Sequence, residues 1–366
     1  MSAIRVLIID DSVVVRRFVS NALAMEPDIE VVGTASNGRL GIAKISQLSP
    51  DIIVLDLEMP EMDGLATLEE IRKQWPRMPV IMYSSLTQRG GLATLDALDR
   101  GANDYVTKPA KIESPAAAEA LIRSQLAPKI RALVPRIITP ATYRRNTSDP
   151  ARIGSVASLA RPRSAVPTAI EIVAIGTSTG GPNALAALIP SIPADFPAPI
   201  VIVQHMPPLF TAMLADRLES KSAIRVREAK HGDCLVPGHA WIAPGDHHMI
   251  VTRTGGQVSL QLHQGPQENS CRPSVDVLFS SVAATYGSGT LAIVLTGMGN
   301  DGMRGCEKIR EAGGSIFVQD EASSVVWGMP GFVARAGLAD RVLPLEEIGL
   351  ALVGRVRQPQ PTGGAA

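Results

Sequence analysis

Short apolar runs that end in polar or acidic turns, each followed by a helical pattern, recur along the chain and restrict it to one kind of architecture. Ile4–Ile9 reads as a strand and stops at Asp10-Asp11. Val15, Phe18, Val19, Ala22 and Leu23 then recur at helical spacing, as one face of an amphipathic helix does. Further strands are expected at Glu30–Gly33, Ile52–Leu55, Val80–Tyr83 and Asp104–Val106, with helices at Leu65–Gln74 and Ala116–Leu126. Such a βα rhythm buries both strand faces in an open parallel sheet flanked by helices.

The rhythm restarts at Ala169. Ala169–Ile175, Ile200–Val203 and Thr290–Leu295 are apolar strands that run into glycine- or histidine-bearing turns. A short strand is expected around Trp241, and Gln257–His263 alternates like a hairpin strand with Val258, Leu260 and Leu262 on one face. The expectation is an α/β chain with two doubly wound parallel-sheet domains, at 1–126 and 168–352. A length of 366 residues suits two cores better than one.

Between them, residues 127–167 read as a linker broken by prolines 128, 135, 140, 150, 162 and 167, with a short strand at Arg136–Ile138. Its basic residues, Lys129, Arg131, Arg136, Arg144, Arg145, Arg152, Arg161 and Arg163, are expected to be solvated. Residues 353–366, ending QPQPTGGAA, read as a disordered tail.

Charge narrows the function. Lys plus Arg and Asp plus Glu each total 35, so the basic excess of a nucleic-acid binder is missing. Cys234, Cys271 and Cys306 lie far apart and form no ligand pair, and are expected to be buried free thiols. MSAIRVLIIDDS lacks signal-peptide flanks, and no run is long enough to span a membrane, so a cytoplasmic protein without membrane insertion is expected.

In the first domain the strand ends carry acids. Asp10 and Asp11 follow the first strand and Asp56 ends the third, and in an open sheet these ends share one crevice. Carboxylates crowded there call for a hard cation, Mg²⁺. Lys108 follows the fifth strand and Ser84 the fourth. The set describes phosphoryl transfer, with Asp56 as nucleophile, Mg²⁺ and Lys108 holding the transferred oxygens, and Ser84 sensing the product. With Met59-Pro60, Asp63-Gly64 and Lys108-Pro109, residues 3–125 resemble the receiver domain of bacterial two-component response regulators, a flavodoxin-like fold. The resemblance implies phosphorylation of Asp56 by a histidine kinase. It also implies Glu58 as a carbonyl ligand to the metal, and Tyr105 as an aromatic that follows Ser84.

The second domain opens with AIGTSTGGP. A dinucleotide loop fails because Ser178 replaces the second glycine, and no lysine completes a phosphate loop. Gly176-Thr177-Ser178-Thr179-Gly180 does fit a nucleophile turn between strand and helix. IVIVQHMPP places His205 at another strand end, and LAIVLTGMGNDG places Asp301 beyond a third. Serine needs a base, and the base needs a carboxylate to orient it, which this trio supplies. The order Ser, His, Asp departs from that of α/β-hydrolases. His231, His239 and His263 read as surface residues, and His247-His248 with Asp246 make a poor metal site.

GTSTGG, QHMP, APGDHH, SVDVLF and TGMGNDG together resemble the catalytic domain of the chemotaxis protein-glutamate methylesterase family, which has a Rossmann-like fold. That resemblance implies a Ser178–His205–Asp301 triad, an oxyanion site shaped by Met298, and Thr179 near the substrate. Arg272 is expected to border the cleft. The implied partners are methyl-accepting chemoreceptors and a chemotaxis histidine kinase. The implied reactions are methyl-ester hydrolysis with loss of methanol and glutamine deamidation, neither with a cofactor. The remaining alternatives are a receiver-controlled esterase or amidase for another substrate, and a non-enzymatic output domain.

Overall fold

A computed structural model describes residues 3–109, 114–134 and 169–357. The N-terminal domain alternates β1 (Ile4–Ile9), α1 (Val13–Ala24), β2 (Ile29–Ala35), α2 (Gly38–Leu48) and β3 (Ile52–Asp56). It continues through α3 (Gly64–Gln74), β4 (Val80–Ser84), α4 (Gln88–Asp99), β5 (Asp104–Thr107) and α5 (Pro115–Leu133). Its parallel sheet has the order β2-β1-β3-β4-β5. Every residue of β3 and β4 is buried, because helices cover both faces.

Each helix of this domain starts on a side-chain cap. Ser12, Asn37, Asp63, Thr87 and Ser114 accept the amides of Val15, Leu40, Ala66, Gly90 and Ala117. Such a cap is worth about 1 kcal/mol.

The C-terminal helix of the domain runs past Leu126 to Leu133 with Pro128 inside it. A mid-helix proline costs about 3 kcal/mol. Burial of Leu126, Ala127, Ile130 and Leu133 against the β1 and β4 side chains offsets that cost. Lys129 and Arg131 are therefore helix residues with partners rather than solvated linker: Lys129 binds Asp104, and Arg131 binds Glu26 and Asp28. The other six basic positions and the strand expected at Arg136–Ile138 lie outside the described residues.

The C-terminal domain begins with β6 (Ile172–Thr177), α6 (Gly181–Leu188), β7 (Ile200–Gln204), α7 (Phe210–Lys221), β8 (Arg225–Glu228) and β9 (His239–Ile242). A hairpin of β10 (His248–Thr254) and β11 (Gln257–His263) follows, then α8 (Val275–Tyr286), β12 (Thr290–Val294) and α9 (Met303–Glu311). The domain closes with β13 (Ser315–Gln319), α10 (Met329–Arg335), β14 (Arg341–Leu343) and α11 (Leu345–Val356). The order β14-β13-β12-β6-β7-β9-β8 makes a seven-stranded parallel sheet. Chain order reverses at β6, between β12 and β7, and the crevice beyond that reversal is where such sheets take ligands.

The two domains meet through α4 and β5 of the first and α6 and α7 of the second. Tyr105 stacks on Phe210 with ring centroids 5.1 Å apart and planes 2° from parallel. Around the stack, Asn183 Nδ2 donates to the Leu98 carbonyl at 2.9 Å, Arg217 pairs with Asp96 and Asp99, and Lys221 pairs with Asp99. One apolar cluster runs from Met82, Leu95 and Leu98 into Phe210, Met213 and Leu214.

The cysteines correct an expectation. Cys306 is buried, but Cys271 is half-buried and Cys234 is exposed, because both sit in polar loops beside the sheet rather than on a helix face toward it. No helix of the described residues is long and apolar enough to cross a membrane.

Candidate active site and phosphoacceptor pocket

Three helices around the reversal at β6 start without a side-chain cap: α6 at Gly180, α9 at Gly302 and α8 at Ser274. Gly180 and Gly302 have φ of +77° and +96°, a left-handed turn that favours glycine. Uncapped first-turn amides are free to face a ligand or a carboxylate.

At α8 the carboxylate is Asp301. Its Oδ2 accepts the Val275 amide at 2.7 Å, and its Oδ1 accepts the Asp276 amide at 3.1 Å. Ser274 Oγ and Asn269 Nδ2 also donate to Oδ1, each at 2.8 Å. Burial alone would raise this acid, but His205, the Val275 amide and Ser274 outweigh it and hold the carboxyl at about 2. Asp301 is thus anionic and fixed.

His205 presents Nε2 to Asp301 Oδ2 at 2.8 Å. Its Nδ1 faces the Cys271 sulfur at 3.7 Å. Burial disfavours the charged ring, yet the bonds to Asp301 and Cys271 prevail and bring its pKa up to about 10.

Ser178 and His205 each follow the register pair Thr177–Gln204 of β6 and β7, so they head adjacent strands. Gln204 Nε2 ties the two strand ends together, donating to the carbonyls of Ser178 and His205 at 2.9 and 3.2 Å. The third strand end packs alongside: a Cβ on Gly297 would fall 2.9 Å from the Ser178 Cβ. Serine, imidazole and carboxylate therefore lie at neighbouring strand ends, with the imidazole bonded to the carboxylate. Among the described residues no hydrogen bond joins Ser178 Oγ to the ring, whose two nitrogens face Asp301 and Cys271.

Thr179 follows the serine and Met298 follows Gly297, which packs on it, and neither amide has a hydrogen-bond partner among the described residues. The Thr179 hydroxyl donates instead to Asp104 of the other domain, at 2.8 Å. Arg272 lines a space of about 380 Å³ together with His205, Met206 and Cys271. Its guanidinium is committed to Asp246 and to the carbonyls of Gln264 and Gly265, which makes it wall. His248 is buried, its ring held by the Ser274 amide and the Pro266 carbonyl, as a structural histidine is.

Sequence reasoning missed Gln204, Asn269, Ser274 and Asp104. Gln204 and Ser274 were visible inside QHMP and SVDVLF. Asn269 was marked by nothing but a loop setting, where it adopts φ +51°.

In the first domain Asp10, Asp11 and Asp56 each offer a carboxylate oxygen, all within 4.8 Å of one another. Lys108 Nζ reaches Asp56 Oδ1 at 2.7 Å and Asp10 Oδ2 at 3.0 Å. Burial, then the neighbouring charge of Asp10, pushes Asp56 up to about 6 despite Lys108. Asp56 Oδ2 is buried with no hydrogen-bond partner. An orphaned carboxylate oxygen in an acid cluster fits a hard, oxygen-seeking divalent cation. Ser84 Oγ is turned toward α4, accepting from Thr94 Oγ1 at 2.7 Å, and Tyr105 is buried under Phe210.

Comparison with known proteins agrees with this layout. The family described as CheB methylesterase matches residues 173–352, and the response regulator receiver domain matches residues 6–118. A protein-glutamate methylesterase/protein-glutamine glutaminase of Trichodesmium erythraeum is 52% identical, the alignment covering 97% of this chain and 100% of that one. Its counterpart in a Nocardioides species is 48% identical over 99% and 98%. The crystal structure of the Thermotoga maritima CheB methylesterase catalytic domain superposes with TM-score 0.50 and 45% identity, covering 51% of this chain and 98% of that one. The chain belongs to the CheB family, response regulators whose receiver governs a protein-glutamate methylesterase and protein-glutamine glutaminase.

Proposed function

We propose that Ser178, His205 and Asp301 perform the family's hydrolysis on glutamyl methyl esters and glutamine amides of chemoreceptors. The observation that carries this reading is the fixed His205–Asp301 pair one strand from a serine on an uncapped helix turn. Ser178 Oγ attacks the acyl carbon while the ring nitrogen not bound to Asp301 takes its proton. That step needs the Cys271 contact to yield, by rotation at Ser178 or of the ring. The free amides of Thr179 and Met298 receive the oxyanion, and one good donor there is worth about 3 kcal/mol. His205 returns the proton to methanol or ammonia, and water then releases the glutamate.

The receiver acts as a lid on this chemistry. Asp104 holds the hydroxyl of the residue next to the nucleophile, and Tyr105 plugs onto Phe210. Phosphate on Asp56, donated by a histidine kinase, draws Ser84 off α4 and frees Tyr105 to leave the stack. Asp10, Asp11 and Asp56, with the Glu58 carbonyl, would hold Mg²⁺, which supplies charge neutralisation for phosphoryl transfer. Lys108 would hold the transferred oxygens.

The test is methanol release from methyl-labelled receptor. Release that survives in Ser178→Ala contradicts the triad, whereas release indifferent to a phosphodonor contradicts only the lid.

A further inference from the structure

We propose that Cys271 and His205 form a site for a thiophilic divalent cation of the zinc class, whose binding shuts off the esterase. The inhibitory half rests on the triad reading above; the binding half does not.

The Cys271 Sγ and His205 Nδ1 are 3.7 Å apart and face each other across the open cleft. Tetrahedral zinc with bonds of about 2.3 Å to sulfur and 2.0 Å to nitrogen separates two such ligands by about 3.5 Å. The donors therefore stand close to coordinating distance. The other ring nitrogen is already on Asp301 at 2.8 Å, the carboxylate–histidine arrangement that orients metal-binding imidazoles. That carboxylate is itself locked by Ser274, Asn269 and two helix amides. The ligating atoms of His205, Cys271 and Asp301 all fall within 4.8 Å of one another. The space of about 380 Å³ beside them leaves room for waters to complete the shell.

The other two thiols differ. Cys306, on α9, is buried in an apolar core, and among the described residues Cys234 meets Gln257 and the Gly232 carbonyl with no imidazole. On binding, the thiol proton and any proton on Nδ1 leave to solvent, and each atom donates a lone pair to the metal. No oxidation occurs. The nitrogen that must take the Ser178 proton is then occupied, while the oxygen-lined pocket around Asp56 favours a harder ion.

The test uses the full reduced chain. With Co²⁺ as probe, a thiolate-to-cobalt charge-transfer band is expected, kept in Cys234→Ser and lost in Cys271→Ser. On the unmutated chain, Zn²⁺ at about ten times its dissociation constant is expected to slow iodoacetamide labelling of Cys271 about tenfold, read by peptide mass spectrometry, and to leave Cys234 unchanged. Absence of the band, its persistence in Cys271→Ser, or labelling of Cys271 indifferent to zinc overturns the site. Zinc is also expected to stop methanol release, with chelator restoring it. Protection of Cys271 without loss of release overturns the inhibitory half and leaves the site standing.

Discussion

Asp301 occupies the place where a capping side chain of α8 would otherwise sit, so one carboxylate both starts a helix and holds the His205 ring. Replacing it with Asn leaves size and shape but removes the charge. Asp301→Asn is expected to lower kcat about 10³- to 10⁴-fold while the fold persists. The pH profile adds a check with a definite sign. Asp301 and Cys271 raise the imidazole pKa to about 10, and the base acts only when neutral. Release by the unphosphorylated chain should therefore climb with pH toward about 10, and in Cys271→Ala the rising limb should move to lower pH.

Asp56 gives the opposite kind of signature. Its folded pKa of about 6 lies above its ordinary 3.8, so ionising it costs stability. The penalty is absent below about pH 4 and complete above about pH 6, on the order of 3 kcal/mol. In chelator, receiver unfolding in urea should lose stability across that window, Asp56→Asn should remove the slope, and Mg²⁺ should offset it. Persistence of the slope in Asp56→Asn would assign it elsewhere. At this scale the sequence was informative wherever a polar residue ended an apolar run, as at Asp56, Ser178 and His205. It was silent on Asn269 and Asp104, whose partners are brought to them only by packing of distant segments.

Among the elements, α4 and α7 carry the contact between domains. Arg217 reaches Asp96 and Asp99, and Lys221 reaches Asp99, in partly exposed ion pairs. Such pairs contribute about 0.5–1 kcal/mol each and weaken as salt screens them. Arg217→Ala is therefore expected to raise unphosphorylated esterase activity roughly two- to fivefold. Raising ionic strength should do the same in the unmutated chain and less in the variant. A rate unchanged by both would show that these helices do not hold the lid shut. Periodicity revealed the five strands of the first sheet, β6, β7, β9 and β12 of the second and the β11 edge of the hairpin, because alternation and apolar runs are local, but it left β8, β10, β13 and β14 unread. It ended α5 too early at Leu126, because a proline reads as a stop unless the burial of Ile130 and Leu133 is known.

For the whole molecule, the acid pocket around Asp56 and the Ser178–His205 turns lie at strand ends of two separate sheets, joined by Tyr105 on Phe210 and Asp104 on Thr179. Moving such a lid from about 1% to 50% open takes about 2.7 kcal/mol, within the range of one contact network of this kind. Two sheets were foreseeable from the repeated βα pattern, but the face on which they meet was not, since the segments that form α4 and α7 carried no signal that singled them out. The most direct measurement is methanol release from methyl-labelled receptor by the intact chain, with and without a small phosphodonor, beside Ser178→Ala. Slow release is expected, with a marked rise on phosphorylation and none from the alanine variant in either state. Equal release by Ser178→Ala would contradict the triad.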